Sequence, residues 1–594
     1  MKNTITKQFE KTAQERRRAP ALLSKSNDQW KALSWIDYAG AVQDFSRCLI
    51  ALEVPQGGKV GLMGKNSANW FVADMAAMTM GAVSVPIYET NSGPQIQYIL
   101  KHAECCVFLI DDLEFFVRVQ PYFDELENPC KVAFFSPQDQ EHPLVTSYEE
   151  LQLQGKAVPV EELAKRKERI TPEDVCTLIY TSGTTGPPKA VMLTHKNCLA
   201  AAENVYLTTR SANPSAASCS YLPLSHVAER TVSIFSPLLD GRPVYFIGGW
   251  ERFQEHLAEI RPTLWAGVPR VWEKLHEAVS GYMAAQPAHK QKLIKWALST
   301  GLQANQLMYE KKPVPLPLKI SHKAAKGLVL NKILKSLGMD RVETAVSGGA
   351  VLSREVLNFF VGLGVWLQDV YGQTEGHGTT SFATREAIRF GSAGKPYPLV
   401  KIRIAEDGEI LVKGDNVSPG YYKDPELTRE TFRGGWLYSG DLGRIDEDGF
   451  LWVTGRKKDI IITSGGKNIT PAKIESSLMS SPLVEHAVVL GEGRKFLTAL
   501  LTISMESAAK FLSIPLEEVH DFGVIASDPK IRREIDAHIQ KVNGQLSRVE
   551  QIKKYTILEK TFSPETGELT HLQKLKRNVV AEKFKEAVEE MYSA

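Results

Sequence analysis

Residues 59–112 run KVGLMG (59–64), KNSANWFVADMAAMTMG (65–81), AVSVPIY (82–88), then, after a short polar turn, QIQYILKHAE (95–104) and CCVFLIDD (105–112). Apolar runs of strand length alternate with stretches of helical length and period. That alternation predicts an α/β domain built on largely parallel strands. Trp70 to Tyr88 is the longest apolar stretch of the chain, but Asp74 and Gly81 interrupt it and Val85-Pro86 closes it. It reads as a buried helix followed by a strand, not as a membrane span.

The same alternation extends outward from about residue 30 to residue 250. Ala284 to Arg341 differs: it is rich in Lys and Leu and contains PVPLPL, and it is expected to form a helical insertion in the same domain. After Gly391 short strand-like runs flank Asp407-Gly408 and Asp448-Gly449, dipeptides suited to the positive φ of a two-residue hairpin turn. A β-rich, barrel-like subdomain at 391–455 is therefore expected within an N-terminal unit of 1–457. Beyond it AVVLG (487–491) and LTALLTI (497–503) mix with amphipathic helices, which predicts a smaller α+β domain over 458–594.

The chain has 594 residues, 43% hydrophobic and 24% charged, an ordinary globular balance that excludes fibrous and disulfide-stapled classes. Its 71 Lys and Arg nearly cancel its 69 Asp and Glu, so no bulk field draws it to nucleic acid and any bound anion needs a local site. The seven cysteines are odd in number and form no CxxC pair, which argues for reduced thiols and against a Cys-ligated zinc. The N-terminus is charged and lacks the apolar segment of a secretory signal, so it is read as uncleaved and the protein as cytoplasmic. Peripheral membrane contact is left open.

The densest chemical signal is Thr181-Ser182-Gly183-Thr184-Thr185-Gly186-Pro187-Pro188-Lys189, set between the strand-like runs VCTLIY and AVMLT. Glycines let a backbone approach an anion and turn N–H groups toward it; Ser and Thr add hydroxyl donors and Lys a charge. This is a phosphate loop in chemical terms. It is not a Walker A loop, because GxxxxGK[ST] is absent and a strand, not a helix, follows. The bland alternative is a Gly/Ser/Thr hairpin turn.

The string resembles the signature of the acyl- and aryl-adenylate-forming enzymes: acyl-CoA synthetases, luciferases and peptide-synthetase adenylation domains. Further blocks follow in that family's order, and the resemblance spans roughly residues 30 to 580. Ala190 is a departure, standing where the family usually has Gly, and some strain in the loop is expected there. The second block is Asp369-Val-Tyr-Gly-Gln-Thr-Glu-Gly376, preceded by Ser347-Gly348-Gly349-Ala350. The resemblance implies that Gly348, Gly349, Ala350 and Gly372 line the nucleotide site and that Tyr371 stacks on adenine. It also implies that Thr374 bonds the α-phosphate and that Glu375 holds the Mg²⁺ accompanying ATP, a hard cation suited to a carboxylate shared with phosphate oxygens.

The third block, Tyr438-Ser-Gly-Asp-Leu-Gly443 with Gly455-Arg-Lys-Lys-Asp459, implies Asp441 on the ribose hydroxyls, Arg456 beside ribose and phosphate, and Lys458 as the hinge of a mobile C-terminal domain. The fourth, Ile462 to Ile469, implies a glycine strand along the pantetheine tunnel, with Ser464, Gly465 and Lys467 contacting CoA. Near the C-terminus the family's catalytic Lys usually follows Gly, yet here Glu568 follows Gly567. Lys574 in Leu572-Gln-Lys-Leu-Lys-Arg577 is the nearest match, with Lys576 as runner-up.

Leu222-Pro-Leu-Ser-His-Val-Ala-Glu-Arg230, Gly267-Val-Pro-Arg-Val-Trp272 and the Lys-rich insertion resemble long-chain fatty acyl-CoA synthetases. His226 would then border the carboxylate end of the acyl pocket; the alternative is a structural His. The implied activity is conversion of a fatty acid, ATP and CoA, with Mg²⁺, to acyl-CoA, AMP and pyrophosphate. An adenylating enzyme that loads a carrier protein or takes another acid is the first alternative, and an inactive acyl-binding scaffold the second. Chain length and oligomeric state are not legible.

Overall fold

The computed structural model describes residues 3–125, 130–181, 187–209, 213, 215–350, 352–515, 522–563, 566–569 and 575–593. Two large sheets share the N-terminal part of the chain. In the eight-stranded sheet Lys59–Met63 lies between Val83–Pro86 and Cys105–Ile110, all parallel, with Lys131–Phe134 and Val145–Thr146 continuing one side. On the other side Val175–Thr181 pairs parallel with Val83–Pro86, and Lys189–Thr194 turns back antiparallel to it. The opening stretch thus folds as its alternation predicts.

The nine-stranded sheet is assembled from both ends of the unit. Its middle strands, Ser218–Ser220, Leu264–Gly267, Thr344–Gly348 and Leu367–Tyr371, run parallel, and Pro20–Ser26 joins them beside Val244–Phe246. Antiparallel pieces close both edges, Gln29–Ser34 on one and Ser381–Phe382 with Lys395–Pro396 on the other. One apolar core takes side chains from both sheets, Val60 and Leu62 from one and Val244 and Phe246 from the other. The helices Trp35–Ala51 and Ala68–Thr79 pack into it.

Every residue from Trp70 to Thr79 is buried, the pattern of a helix apolar on all sides and enclosed by protein. Asp74 is tolerated there because Arg230, itself fully buried between the rings of Trp70 and Phe235, donates to it at 2.9 Å and Ser84 at 2.5 Å. No helix among the described residues is long and apolar enough to cross a membrane.

The expected helical insertion is present as Ala288–Tyr309, Leu316–Ala325 and a continuation through Lys326–Leu330 to Asn331–Ser336. The β-rich region forms a five-stranded sheet in which Val400–Ile404, Glu409–Gly414 and Trp436–Ile445 are successive neighbours. Gly408 and Gly449 take φ of +86° and +82° at the predicted turns. Two pieces of the stretch 391–455 serve other sheets: Lys395–Pro396 completes the nine-stranded one, and Gly420–Tyr421 pairs with Lys189–Thr194 in the eight-stranded one.

From Ile461 onward the chain has its own core around the strands Val484–Leu490, Leu497–Ile503 and Ile552–Ile557, with the helices Pro471–Leu478 and Pro529–Asn543 packed against them.

Candidate active site

Because the four middle strands of the nine-stranded sheet point the same way, the segments that follow them emerge at one edge, where open parallel sheets bind ligands. The motif at 222–230, Gly267 to Trp272, the Ser347 to Ala350 block and the Tyr371 to Gly376 block are therefore brought together although up to about 150 residues separate them. The register sets Gly267 beside Ser347 and Gly348 beside Val370. Trp272 locks the edge, its indole N–H lying 3.3 Å from the carbonyls of both Gly267 and Val346.

Tyr371 ends its strand, and the chain then folds into a tight loop. Gly376 and Gly378 both donate to the Gln373 carbonyl, at 3.0 and 2.9 Å, and Thr380 donates to Tyr371 at 3.1 Å. Asn416 clamps the far side, its amide donating to the carbonyls of Gly376 and Thr379 at 2.8 and 3.0 Å. Gly372 has no room for a side chain: a Cβ there would lie 2.4 Å from the carbonyl carbon and oxygen of Gly378. Since that neighbour is backbone, Gly372→Ala is expected to displace the loop. It should cost about 1–3 kcal/mol of stability and most of the activity. Denaturant midpoints and pyrophosphate release check this; wild-type values for both would show that the loop gives way freely.

Three sheets meet at this loop. From the nine-stranded sheet, the Tyr371 hydroxyl donates to Asp441 Oδ2 at 2.7 Å. From the β-rich sheet, Asp441 lies opposite Arg456 across two strands, and Arg456 Nε donates to Asp441 Oδ1 at 3.0 Å. Burial, and next the Asp441 carboxylate, push the Tyr371 phenol up, so it remains a donor at neutral pH. From the eight-stranded sheet comes Tyr421, whose hydroxyl donates to Glu375 Oε1 at 2.7 Å and whose ring lies 5.8 Å from Lys189 Nζ. Lys189 and Glu375 thus meet at Tyr421, and Tyr371, Asp441 and Arg456 form a second cluster at the other end of the same loop.

The donor set fits Mg²⁺ bound together with a phosphate. Glu375 offers one carboxylate, with Lys189 nearby for phosphate charge, and the described residues contain no cluster of three His, Cys, Asp or Glu that would form an all-protein cage. Thr181 and Lys189 face each other across the mouth of the phosphate loop in the ladder of their two strands. Ser182, Gly183, Thr184, Thr185 and Gly186 lie outside the described residues. Ala190 sits in regular register with Tyr180 and has no positive φ, so the strain expected there is not found: the residue belongs to the strand, not to the loop.

Gly349 and Ala350 are exposed beyond the end of their strand, and Gly349 takes a left-handed φ of +89°. Thr374 opens the short helical turn Thr374–Gly376 that carries Glu375. His226 caps the turn Val227–Glu229, its Nδ1 accepting from the Ala228 N–H at 3.2 Å. Lys458 is exposed in the turn Lys457–Asp459, and its neighbour Lys457 pairs with Asp407 at 2.6 Å and Glu409 at 3.2 Å.

Ser464, Gly465 and Lys467 do not lie on a strand as expected. They form the exposed turn of a hairpin between Ile461–Ile462 and Asn468–Ile469, because Gly466 adopts φ +71° and reverses the chain. Lys574 lies outside the described residues, between Leu569 and Leu575, which pair with each other. Lys576 starts the helix Arg577–Lys583, its backbone N–H held by the Glu568 carbonyl at 2.8 Å.

Tyr421 and Asn416 were not foreseen from sequence. Both fall in a Gly/Asn/Ser/Pro-rich stretch that signals a turn and nothing more. His377 was missed as well. It is fully buried against Phe235, two residues after Glu375, and burial pushes it down to about 3, so it is neutral.

Asp369, two residues before Tyr371, is raised by burial from 3.8 to about 7. The unfolded chain then loses this proton first as pH rises, so the group's contribution to stability falls between about pH 4 and pH 7 and is constant above. Asp369→Asn lacks that term. Its stability relative to wild type is expected to rise from about pH 4 to pH 7 and to level off above. A constant difference in denaturation midpoint over that range would exclude a buried, protonated Asp369.

This architecture and these two clusters fit an enzyme that uses a nucleotide, and family comparison gives the class. The AMP-binding enzyme family matches residues 9–422 and the AMP-binding enzyme C-terminal domain matches residues 458–594. The chain belongs to the AMP-binding enzyme family.

Among full-length relatives, it is 33% identical to the long-chain-fatty-acid–CoA ligase ACSBG2 of Homo sapiens, over 96% of this chain and 90% of that protein. It is also 33% identical to the long-chain-fatty-acid–CoA ligase FadD15 of Mycobacterium tuberculosis, over 95% of this chain and 93% of that one. Its fold is shared with the adenylation domain of a carboxylate reductase from Mycobacterium chelonae, with a TM-score of 0.75, 21% identity and coverage of 100% and 91%. The o-succinylbenzoate CoA synthetase of Bacillus subtilis has a TM-score of 0.69 at 21% identity, covering 97% of this chain and 98% of its own.

Proposed function

We propose that this protein is an AMP-forming fatty acid–CoA ligase. The fatty carboxylate attacks the α-phosphorus of ATP, pyrophosphate leaves, and the acyl-adenylate stays bound. The CoA thiolate then attacks the acyl carbonyl and AMP departs. The observation that carries this reading is the convergence of Lys189, Glu375 and the Tyr371, Asp441 and Arg456 cluster from three different sheets onto one loop. Positioning and charge stabilisation are what such a transfer needs from a protein.

Within this reading Lys189 and Thr374 hold phosphate oxygens, Glu375 holds Mg²⁺, and Tyr371 lies against adenine. Bound Mg²⁺ would offset phosphate charge. Asp441 receives the ribose hydroxyls; its carboxylate has acceptor sites beyond the two used by Tyr371 and Arg456, so it need not release either. Gly348, Gly349, Ala350 and Gly372 line the nucleotide site, and His226 borders the acyl carboxylate. Lys458 is the hinge between the units 1–457 and 458–594, Lys574 is the adenylation lysine, and the exposed Ser464, Gly465 and Lys467 meet CoA.

The experiment incubates the protein with a fatty acid, ATP, Mg²⁺ and CoA. AMP, pyrophosphate and acyl-CoA are the expected products. ADP would overturn the reading, since it signals attack at the γ-phosphorus.

A further inference from the structure

The helical insertion from Ala288 to Ser336 has a charge balance unlike the rest of the chain. It holds ten of the 71 basic residues, all lysines, and one of the 69 acidic residues, Glu310. All ten lysines are exposed. Lys312 pairs with Glu310 at 2.6 Å, and the other nine have no ion-pair partner among the described residues.

Part of the insertion packs into the core through Ile294, Leu330 and Leu334, but several of its large apolar residues are turned outward. Leu316 and Ile320 on the helix Leu316–Ala325 are 69% and 64% exposed, and Leu328 on the turn that continues it is 56% exposed. Leu316, Lys319, Ile320 and Lys323 follow the i, i+3, i+4, i+7 spacing of one helix stripe, while Ala325, half a turn round from Leu316, is buried. On the neighbouring helix Leu293 and Trp296 are 42% and 39% exposed beside Lys292 and Lys295. An exposed leucine alone means little; leucine and isoleucine interleaved with unpaired lysines on successive turns mark a surface with an occupant.

We infer that the stripe of Leu316, Lys319, Ile320, Lys323, Lys326 and Leu328 docks the protein on the surface of an anionic lipid bilayer. Lysines alone would serve a nucleic acid, but phosphodiester backbones give large aliphatic side chains nothing to bury. The headgroup boundary of a bilayer accepts both: the aliphatic groups enter the acyl region while the lysine stems run along it and hold their ammonium groups among lipid phosphates. The use of this surface, drawing a membrane-dissolved acid toward the site, rests on the fatty-acid reading. The binding itself does not.

The test mixes the full-length protein, without ATP or acid, with phosphatidylcholine vesicles that contain or lack phosphatidylglycerol, and measures flotation. Binding is expected to the anionic vesicles only and to weaken when NaCl is raised from ~0.1 M to ~0.5 M. Combining Lys319→Gln, Lys323→Gln and Lys326→Gln should lower partitioning about a hundredfold. Leu316→Ser with Ile320→Ser should lower it about tenfold or more on the same vesicles.

Turnover of a short, water-soluble acid should stay at the wild-type value in both variants, which shows that they fold. If a combined variant melts early, Ile320→Ser alone, at an exposed position where folding is insensitive, decides the matter. Equal binding to both vesicle types, no binding to either, or variants that bind like wild type would overturn the proposal. So would lysine-dependent binding to duplex DNA without vesicle binding. A protein that floats with anionic vesicles yet forms no acyl-CoA would keep the docking surface and refute the ligase reading.

Discussion

Glu375→Gln is expected to reduce turnover on the order of a hundredfold or more and to raise the Mg²⁺ concentration needed for half-maximal rate. The substitution isolates charge from shape. The Gln carbonyl can still accept the hydroxyl of Tyr421, which reaches Glu375 Oε1 at 2.7 Å, and Ser418 still bonds the backbone carbonyl at 2.8 Å. The loop therefore keeps its anchors while the site loses the carboxylate bonded to Tyr421, whose ring Lys189 approaches. Tyr421→Phe is the companion: it frees the carboxylate from its hydrogen bond without removing the charge, so it should cost activity less and leave the Mg²⁺ requirement near wild type. Pyrophosphate release across a Mg²⁺ titration measures both. An unchanged Mg²⁺ requirement in Glu375→Gln would remove Glu375 as the metal ligand.

Lys574→Ala is expected to nearly abolish acyl-adenylate formation while leaving CoA's attack on supplied acyl-adenylate largely intact. A group that stabilises charge in only one of two transition states alters only that rate. Lys576→Ala should have little effect on either step, since that residue's place is held through its backbone by Glu568. Lys458→Pro should show the reverse pattern, sparing adenylation and slowing thioester formation, because a fixed φ restricts a turn about that residue. Single-turnover rates of both half-reactions in the three variants check this. Equal losses in both half-reactions for Lys574→Ala would take that residue out of its role and point to Lys576.

Most of the local structure was legible because local structure has local causes. Strand and helix length, the buried character of Trp70 to Thr79 and the hairpins at Gly408 and Gly449 follow from periodicity and from which residues tolerate positive φ. The blocks around Lys189, Glu375 and Asp441 could be named from their strings alone. The stretch Ile462 to Ile469 reads as a strand but folds as a hairpin: two successive glycines admit either form, and the pairing of Ile461 with Ile469 selects the turn.

By itself, then, the sequence determined the α/β class, the order of its parts and which residue types could handle a nucleotide. Tertiary structure alone decided how those parts meet. A strand carries the same N–H and C=O groups whatever its neighbour, so nothing in Pro20–Ser26 announces a partner at Val244–Phe246, and nothing in Gly420–Tyr421 announces that it leaves the β-rich region for Lys189–Thr194. That second pairing puts Tyr421 between Lys189 and Glu375, and the pairing of Asp441 with Arg456 beneath Tyr371 completes the cluster. These contacts join residues far apart in the chain, where partner choice depends on the burial and geometry of the whole fold rather than on any local preference.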